Sequence, residues 1–255
     1  MDKSSLLRKK LLSWYLDNGV YFSINEFVRD IHQVEKQTKA NQGIKENYDK
    51  KIEIANDFST TNVKATDLKS LFNESKKFDG CPLKRTAKNF VFSDGNPHSK
   101  VMLLGEAPGE EEDRIGRPFV GTAGKLLDKM LLAIDQDRNN TYLSNIVFWR
   151  PPGNRNPTQE EINSCLPFVM KHIEIIRPRI LVLAGAIPAK SILNNSDLGI
   201  TKLRGNWYDL KFGSENFIVK TMPIFHPAFL LRQPARKKEA WEDLKKIRNE
   251  IQKIT

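Results

Sequence analysis

The sequence predicts an α/β fold with a mostly parallel sheet, preceded by a helical arm. Three observations carry this expectation. Short apolar runs (KVMLLG, TYLSNIVF, RILVLAG and MPIFH) recur after residue 98. Between them lie segments of helical periodicity such as AGKLLDKMLLAI, and this alternation builds parallel sheets with helices on their faces. Residues 1–65, by contrast, are polar, with Leu, Trp, Tyr, Phe and Ile only at scattered helical spacings. At 255 residues and 29.3 kDa, the chain has room for one large domain and an appended arm.

Taken in order, residues 3–17 and about 24–50 read as weakly amphipathic helices. The start MDKSSLLRKK is basic, but charges interrupt its apolar residues and no small-residue cleavage site follows, so it reads as a helix rather than a signal peptide. KIEIANDFSTTNVKA at 51–65 reads as a linker, which divides the chain into an arm (1–65) and one domain (66–255). Thr66 is the expected N-cap of a short helix in TDLKSLFNES. VMLLG is a strand running into a Gly/Pro loop, and TYLSN and RILVLAG are the next strands. Thr158 caps a helix through about Ile176, and IPAKSILNN is another helix. NWYDLKFG and NFIVK form a hairpin, MPIF a final strand, and residues 235–252 a charged helix. Open sheets of this kind bind ligands beyond the carboxyl ends of their strands. The loops beginning at Gly105, Asn145, Gly185 and His226 are therefore the ones to inspect.

Composition narrows the function. The chain is 39% hydrophobic and 28% charged, as a folded soluble domain requires. No apolar run approaches the roughly 18 residues that span a bilayer. Two cysteines make no disulfide framework, which points to a reducing, cytoplasmic setting. A net charge of +10 and a pI near 9.5 point to an anionic partner, nucleic acid first. Residues 201–255 hold 12 Lys and Arg against 6 Asp and Glu, much of this excess in LRQPARKKEA just after His226-Pro227. GEAPGEEEDRIGRPFVGTAG at 105–124 matches neither nucleotide-binding glycine motif, and its four successive carboxylates repel phosphate. Nucleoside triphosphate binding is thereby disfavoured.

GEAPGEEED, GRPFVGTAGKLL, NIVFWRPPGNRNP, ITKLRGNWY and FHPAFLLRQP, in that order, resemble the family 4 uracil-DNA glycosylases over roughly residues 80–250. The resemblance implies a four-stranded parallel sheet flanked by helices, and hydrolysis of the N-glycosidic bond of a flipped-out uracil to leave an abasic site. It implies that Phe119 stacks on the base and that Asn145 reads it. An amide suits that task, because it donates to uracil O4 and accepts from N3–H, the reverse of what cytosine requires. It implies that His226, as a neutral imidazole, donates to uracil O2 while negative charge develops there. Gly105 and Ala107 would line the pocket. Glu106, nearest the strand end, is the preferred catalytic carboxylate for positioning water or stabilising the sugar cation; one of Glu110–Asp113 is the alternative. The Glu112–Asp113 pair instead suits bracing the loop against Arg114 or Arg117. No residue stands out for excluding thymine.

Within the resemblance, Pro227, Ala228, Phe229 and Leu230 form a small apolar loop. Leu230 is the expected wedge into the gap left by the flipped base. Lys202, Arg204 and Arg232, with Arg236, Lys237 and Lys238, suit phosphates. Family 4 enzymes typically hold a [4Fe–4S] cluster on four cysteines. Here Cys81 and Cys165 remain, while Phe78 and Trp149 stand where thiolates are expected. Two thiolates do not retain four irons. The expectation is therefore no cofactor, with all four residues meeting in an apolar cluster around a packed thiol pair. The alternative function is a non-catalytic uracil/DNA-binding or polymerase-accessory protein with residues 1–65 as a docking arm for a protein partner. Covalent trapping is disfavoured, because trapping relatives carry a histidine-bearing insertion after GRPFVG, and here a helix pattern follows directly. The expected state is a cytoplasmic, nucleoid-associated monomer without membrane contact.

Overall fold

The computed structural model describes residues 63–195 and 197–254. The helices expected at 3–17 and 24–50, and most of the 51–65 linker, lie outside the described residues. Helix α1 (Leu68–Lys77) is capped by Asp67, one residue beyond Thr66. The Asp67 carboxylate accepts the Ser70 N–H at 2.8 Å, and Ser70 Oγ accepts the Asp67 N–H at 3.1 Å. This reciprocal box needs a side-chain acceptor three residues after the cap; Thr66 would have placed Lys69, a donor only, there.

The sheet comprises β1 (Ser93–Gly95), β2 (Val101–Gly105), β3 (Tyr142–Asn145), β4 (Ile180–Ala184), β5 (Tyr208–Phe212) and β6 (Phe217–Ile224), in the order β1-β3-β2-β4-β6-β5. The interior strands β3, β2, β4 and β6 are parallel, and both edges are antiparallel. The four parallel strands expected are thus the interior of a six-stranded sheet. Two corrections follow. β1 is only Ser-Asp-Gly, too short and polar to register as an apolar run. The second hairpin arm and the MPIF strand are one continuous β6. Its Phe217–Thr221 stretch pairs with β5 and its Lys220–Ile224 stretch with β4, so two partners read two halves of one backbone.

Strands β2 and β4 are buried along their whole length, which is why they appear as unbroken apolar runs. One sheet face, with Met102, Leu104, Leu181 and Leu183, packs with α1 and α4 (Gln159–Ile176) in the main core. The other face, with Val101, Leu103 and Val182, meets Leu127 and Leu131 of α3 (Thr122–Leu132) and Leu244 and Ile247 of α8 (Lys237–Ile254). Helix α4 has the expected bounds. Its Glu161 N–H donates to Thr158 Oγ1, and the Thr158 N–H returns a 2.7 Å bond to Glu161 Oε2. Short helices α2 (Glu110–Ile115), α5 (Ala186–Leu193), α6 (Ile200–Leu203) and α7 (Pro227–Arg232) complete the layers. Among the described residues, no helix is long and apolar enough to cross a membrane.

Candidate active site

The site forms where β2, β3 and β6 end. Gly105 and Asn145 are paired in register at the last rungs of β2 and β3. Beyond them the ladder continues: the Ile146 N–H donates to Gly105 O at 2.9 Å and the Val147 N–H to Glu106 O at 3.1 Å. Glu106 is thereby held directly beside the Asn145 strand end. A Cβ on Gly105 would lie 2.4 Å from both Asn145 Oδ1 and Phe119 Cζ. Only glycine lets the Asn145 amide and the Phe119 ring converge here.

Phe119 is buried and has φ +56°, a left-handed conformation that costs a non-glycine residue on the order of 1–3 kcal/mol. Its ring lies 6.2 Å, centroid to centroid, from the His226 ring, at 30°. His226 follows β6 and caps α7. The Ala228 N–H donates to His226 Nδ1 at 3.1 Å, so the neutral ring carries its proton on Nε2. Gly185, at the end of β4 with φ +112°, lets the His226 side chain pass close beneath: a Cβ there would sit 3.2 Å from His226 Cβ. Burial, with the nearby Arg232 cation, pushes the His226 imidazole down to about 4. It is therefore neutral at physiological pH. Burial pushes the half-buried Glu106 carboxyl above its ordinary range, and Arg232 opposes that rise. An amide, an aromatic face and a neutral N–H donor thus converge at the strand ends, with the Glu106 backbone on the next rung.

Residues 110–115 form helix α2 rather than a loop, and its carboxylates divide their work. Glu112 Oε1 accepts the Val120 and Gly121 N–H groups at 2.9 and 2.8 Å, and Oε2 accepts the Gly109 N–H at 3.1 Å. Buried Asp113 accepts the Lys88 and Asn89 N–H groups, both at 2.9 Å. The bracing expected of this pair is thus made to backbone amides. Arg114 instead pairs with Glu111 and Arg117 with Asp94. Glu110 reaches Arg150 at 3.8 Å.

Several expected DNA contacts are placed differently. Arg204 is only 14% exposed: its guanidinium grips buried Asp243 of α8, with Nε 2.8 Å from Oδ2, and lies over the Phe225 ring. The Arg-Gly of ITKLRG is a clasp on α8, because a Gly205 Cβ would meet Asp243 Oδ1 at 2.3 Å. Arg204 is thus committed to packing, not free for phosphate. Leu230 is fully buried and Pro227 is buried, so neither faces DNA as a wedge; one helical step on, Leu231 is 41% exposed. Lys237 is buried and Arg236 pairs with Glu239, whereas Lys202 and Arg232 are exposed. Arg138, to which the sequence reading gave no role, donates to the Pro118 and Phe119 carbonyls. Nothing in its local sequence signals this, because its acceptors lie about twenty residues away.

A family model described as the uracil DNA glycosylase superfamily matches residues 92–245, more than half of the chain. The chain is thus a member of that superfamily. Type-4 uracil-DNA glycosylases are similar to it over most of its domain. That of Thermotoga maritima is 40% identical over 180 residues, 70% of this chain and 91% of that protein. That of Archaeoglobus fulgidus is 39% identical over 66% of this chain and 84% of its own, and that of Sulfurisphaera tokodaii 42% over 66% and 77%. Within the superfamily, the chain belongs to the type-4 uracil-DNA glycosylases.

The cluster of that family does not fit the donor set present. The chain has two cysteines, both free and buried. Among the described residues, no group of three or more His, Cys, Asp or Glu side chains is placed to hold a metal. Cys81, Trp149 and Cys165 lie in the main apolar core and Phe78 packs against it. The hydrogen bond between the two thiols and burial push Cys165 well above the ordinary thiol range. The Phe78 ring lies 5.0 Å from that of Phe168, tilted at 59°, about one turn after Cys165 on α4, and the Trp149 ring lies 5.1 Å from that of Phe90.

Proposed function

We propose that this protein hydrolyses the N-glycosidic bond of uracil in DNA, with the slot at the ends of β2, β3 and β6 as its base pocket. The convergence of Asn145 and Phe119 on Gly105 carries this reading, since it supplies a reading edge and a stacking face in one place. A flipped uracil lies on Phe119. Asn145 Nδ2 donates to O4 and Oδ1 accepts from N3–H. As the C1′–N1 bond breaks, its electron pair leaves with the base, and the charge spreads to O2. His226 Nε2–H donates to that oxygen without transferring its proton, a preorganised stabilisation. The Glu106 carboxylate faces the cationic sugar and takes a proton from the water that attacks C1′. The raised affinity of Glu106 for protons suits that last step.

In the same reading, Arg232 and Lys202 contact backbone phosphates and Leu231, not Leu230, fills the vacated stack. The enzyme works as a monomer on cytoplasmic DNA without an iron–sulfur cluster, the aromatic–thiol core replacing it, and residues 1–65 dock a protein partner. The deciding test uses iron-free full-length protein on a uracil-containing oligonucleotide, with alkali to break abasic sites. Cleavage at uracil is expected. A folded protein that binds the DNA but leaves the strand intact would overturn catalysis in favour of an accessory binder.

A further inference from the structure

The left-handed turn at Phe119 needs something to hold it, and one cation meets its backbone. Arg138 lies in the loop between α3 and β3 and is 22% exposed. Its guanidinium is oriented by two carboxylates: Nε is 2.9 Å from Asp128 Oδ1, and Nη1 meets Asp94 of β1. Set in this frame, Nη1 donates to Pro118 O at 3.2 Å and Nη2 donates to Phe119 O. The Phe119 carbonyl also lies close against α3, since a Cβ on Gly124 would sit 1.9 Å from that oxygen. The Arg138 and Thr141 carbonyls approach Gly95 closely, where φ is +89° and a Cβ would lie 3.1 Å from the first and 2.1 Å from the second. An arginine is required by geometry: four acceptors on two peptides and two carboxylates match a planar fork, whereas an ammonium serves as one point.

We propose that Arg138 is a positioning residue for uracil recognition, fixing the turn that lays the Phe119 ring beside Gly105, Asn145 and His226. The inference rests on the base-pocket reading above. It acts through Phe119 and touches no substrate. Equilibrium binding of uracil-containing and undamaged oligonucleotides, with single-turnover cleavage alongside, tests it across wild type, Arg138→Lys, Phe119→Ala and the double variant. Arg138→Lys is expected to weaken uracil-strand binding at least tenfold, to leave affinity for undamaged DNA near wild type, and to cost little further in the Phe119→Ala background. Equal losses in both backgrounds, or unchanged uracil affinity, would overturn the proposal and make Arg138 a scaffold residue. Amide hydrogen exchange separates this from the wider reading and does not need turnover. Faster exchange at Val120 and Gly121 in Arg138→Lys, with α4 and β4 amides unchanged, supports the turn-holding role; unchanged protection at 120–121 refutes it. Absence of cleavage by wild type refutes the glycosylase reading alone.

Discussion

At the scale of single residues, the pocket gives each side chain a task that one substitution can isolate. Asn145→Asp replaces the donor to O4 with an acceptor, so preference for uracil over cytosine should fall steeply. Relative cleavage of uracil and cytosine strands measures this, and unchanged preference would remove Asn145 from the reading role. His226→Ala removes one oriented N–H and should slow cleavage about 10²–10³-fold while leaving DNA affinity nearly intact; equal losses in both would make it a DNA contact. The pH profile separates the two ionisable partners. His226, depressed to about 4, stays neutral across the working range, so it does not set the acid limb. Glu106 is raised by burial, and protonation as pH falls abolishes its role, so the rate should drop on that limb. Arg232 holds Glu106 down, and Arg232→Gln should move the limb to higher pH; a limb that stays put would separate Glu106 from the profile.

At the scale of elements, the fold spends some of its most charged side chains on joining helices to the sheet. The loop from α6 to β5 is clasped to α8 by Arg204 and Asp243, and Lys246 adds a 2.7 Å bond to Gly205 O. Burial pushes the Asp243 carboxyl up to about 6, against the pull of Arg204. Arg204→Ala therefore strands a buried carboxylate and should destabilise the protein by about 3–5 kcal/mol. Urea unfolding measures this loss, and affinity of the folded fraction for DNA should be unchanged. A large loss of affinity with little loss of stability would return Arg204 to the DNA surface. The α4 cap and the β2 and β4 cores were legible beforehand because each depends on neighbours in sequence or on burial of both sheet faces. The phase of α7 was not: Leu230 and Leu231 differ by about 100° around the axis, and only packing decides which is inside.

At the scale of the whole molecule, two buried histidines link stability to acid. His226 is held at about 4, and His172, fully buried with its Nε2 2.7 Å from Tyr142 OH, at about 3, against an ordinary 6.5. Both are neutral when folded but gain a proton when unfolded below 6.5, so the unfolded state binds more protons as pH falls. From these two groups stability should be full above 6.5 and fall by up to about 1.4 kcal/mol per pH unit for each as pH drops, while below about 6 proton uptake by folded Asp243, pushed up to about 6, offsets one of them. His172→Phe, whatever its cost at neutral pH, should remove up to about 1.4 kcal/mol per pH unit of that acid slope; thermal unfolding across pH 4–7 shows whether it does.

The linear order of residues determined the α/β class, the capped helix from Thr158, the interior strands and the motif set that resembles family 4. These depend on periodicity and on residue types at short spacing. The missing cluster ligands were equally legible, because a cysteine count needs no coordinates. Tertiary structure decided the rest. It placed Arg204 on Asp243 thirty-nine positions away, turned Leu230 inward, paired one β6 backbone with two strands, and put Arg138 on the Phe119 carbonyl. A charge or an apolar side chain has the same identity inside or outside a fold. Its partner is set by which distant segments the packed sheet brings within a few ångströms, and that is absent from any local pattern.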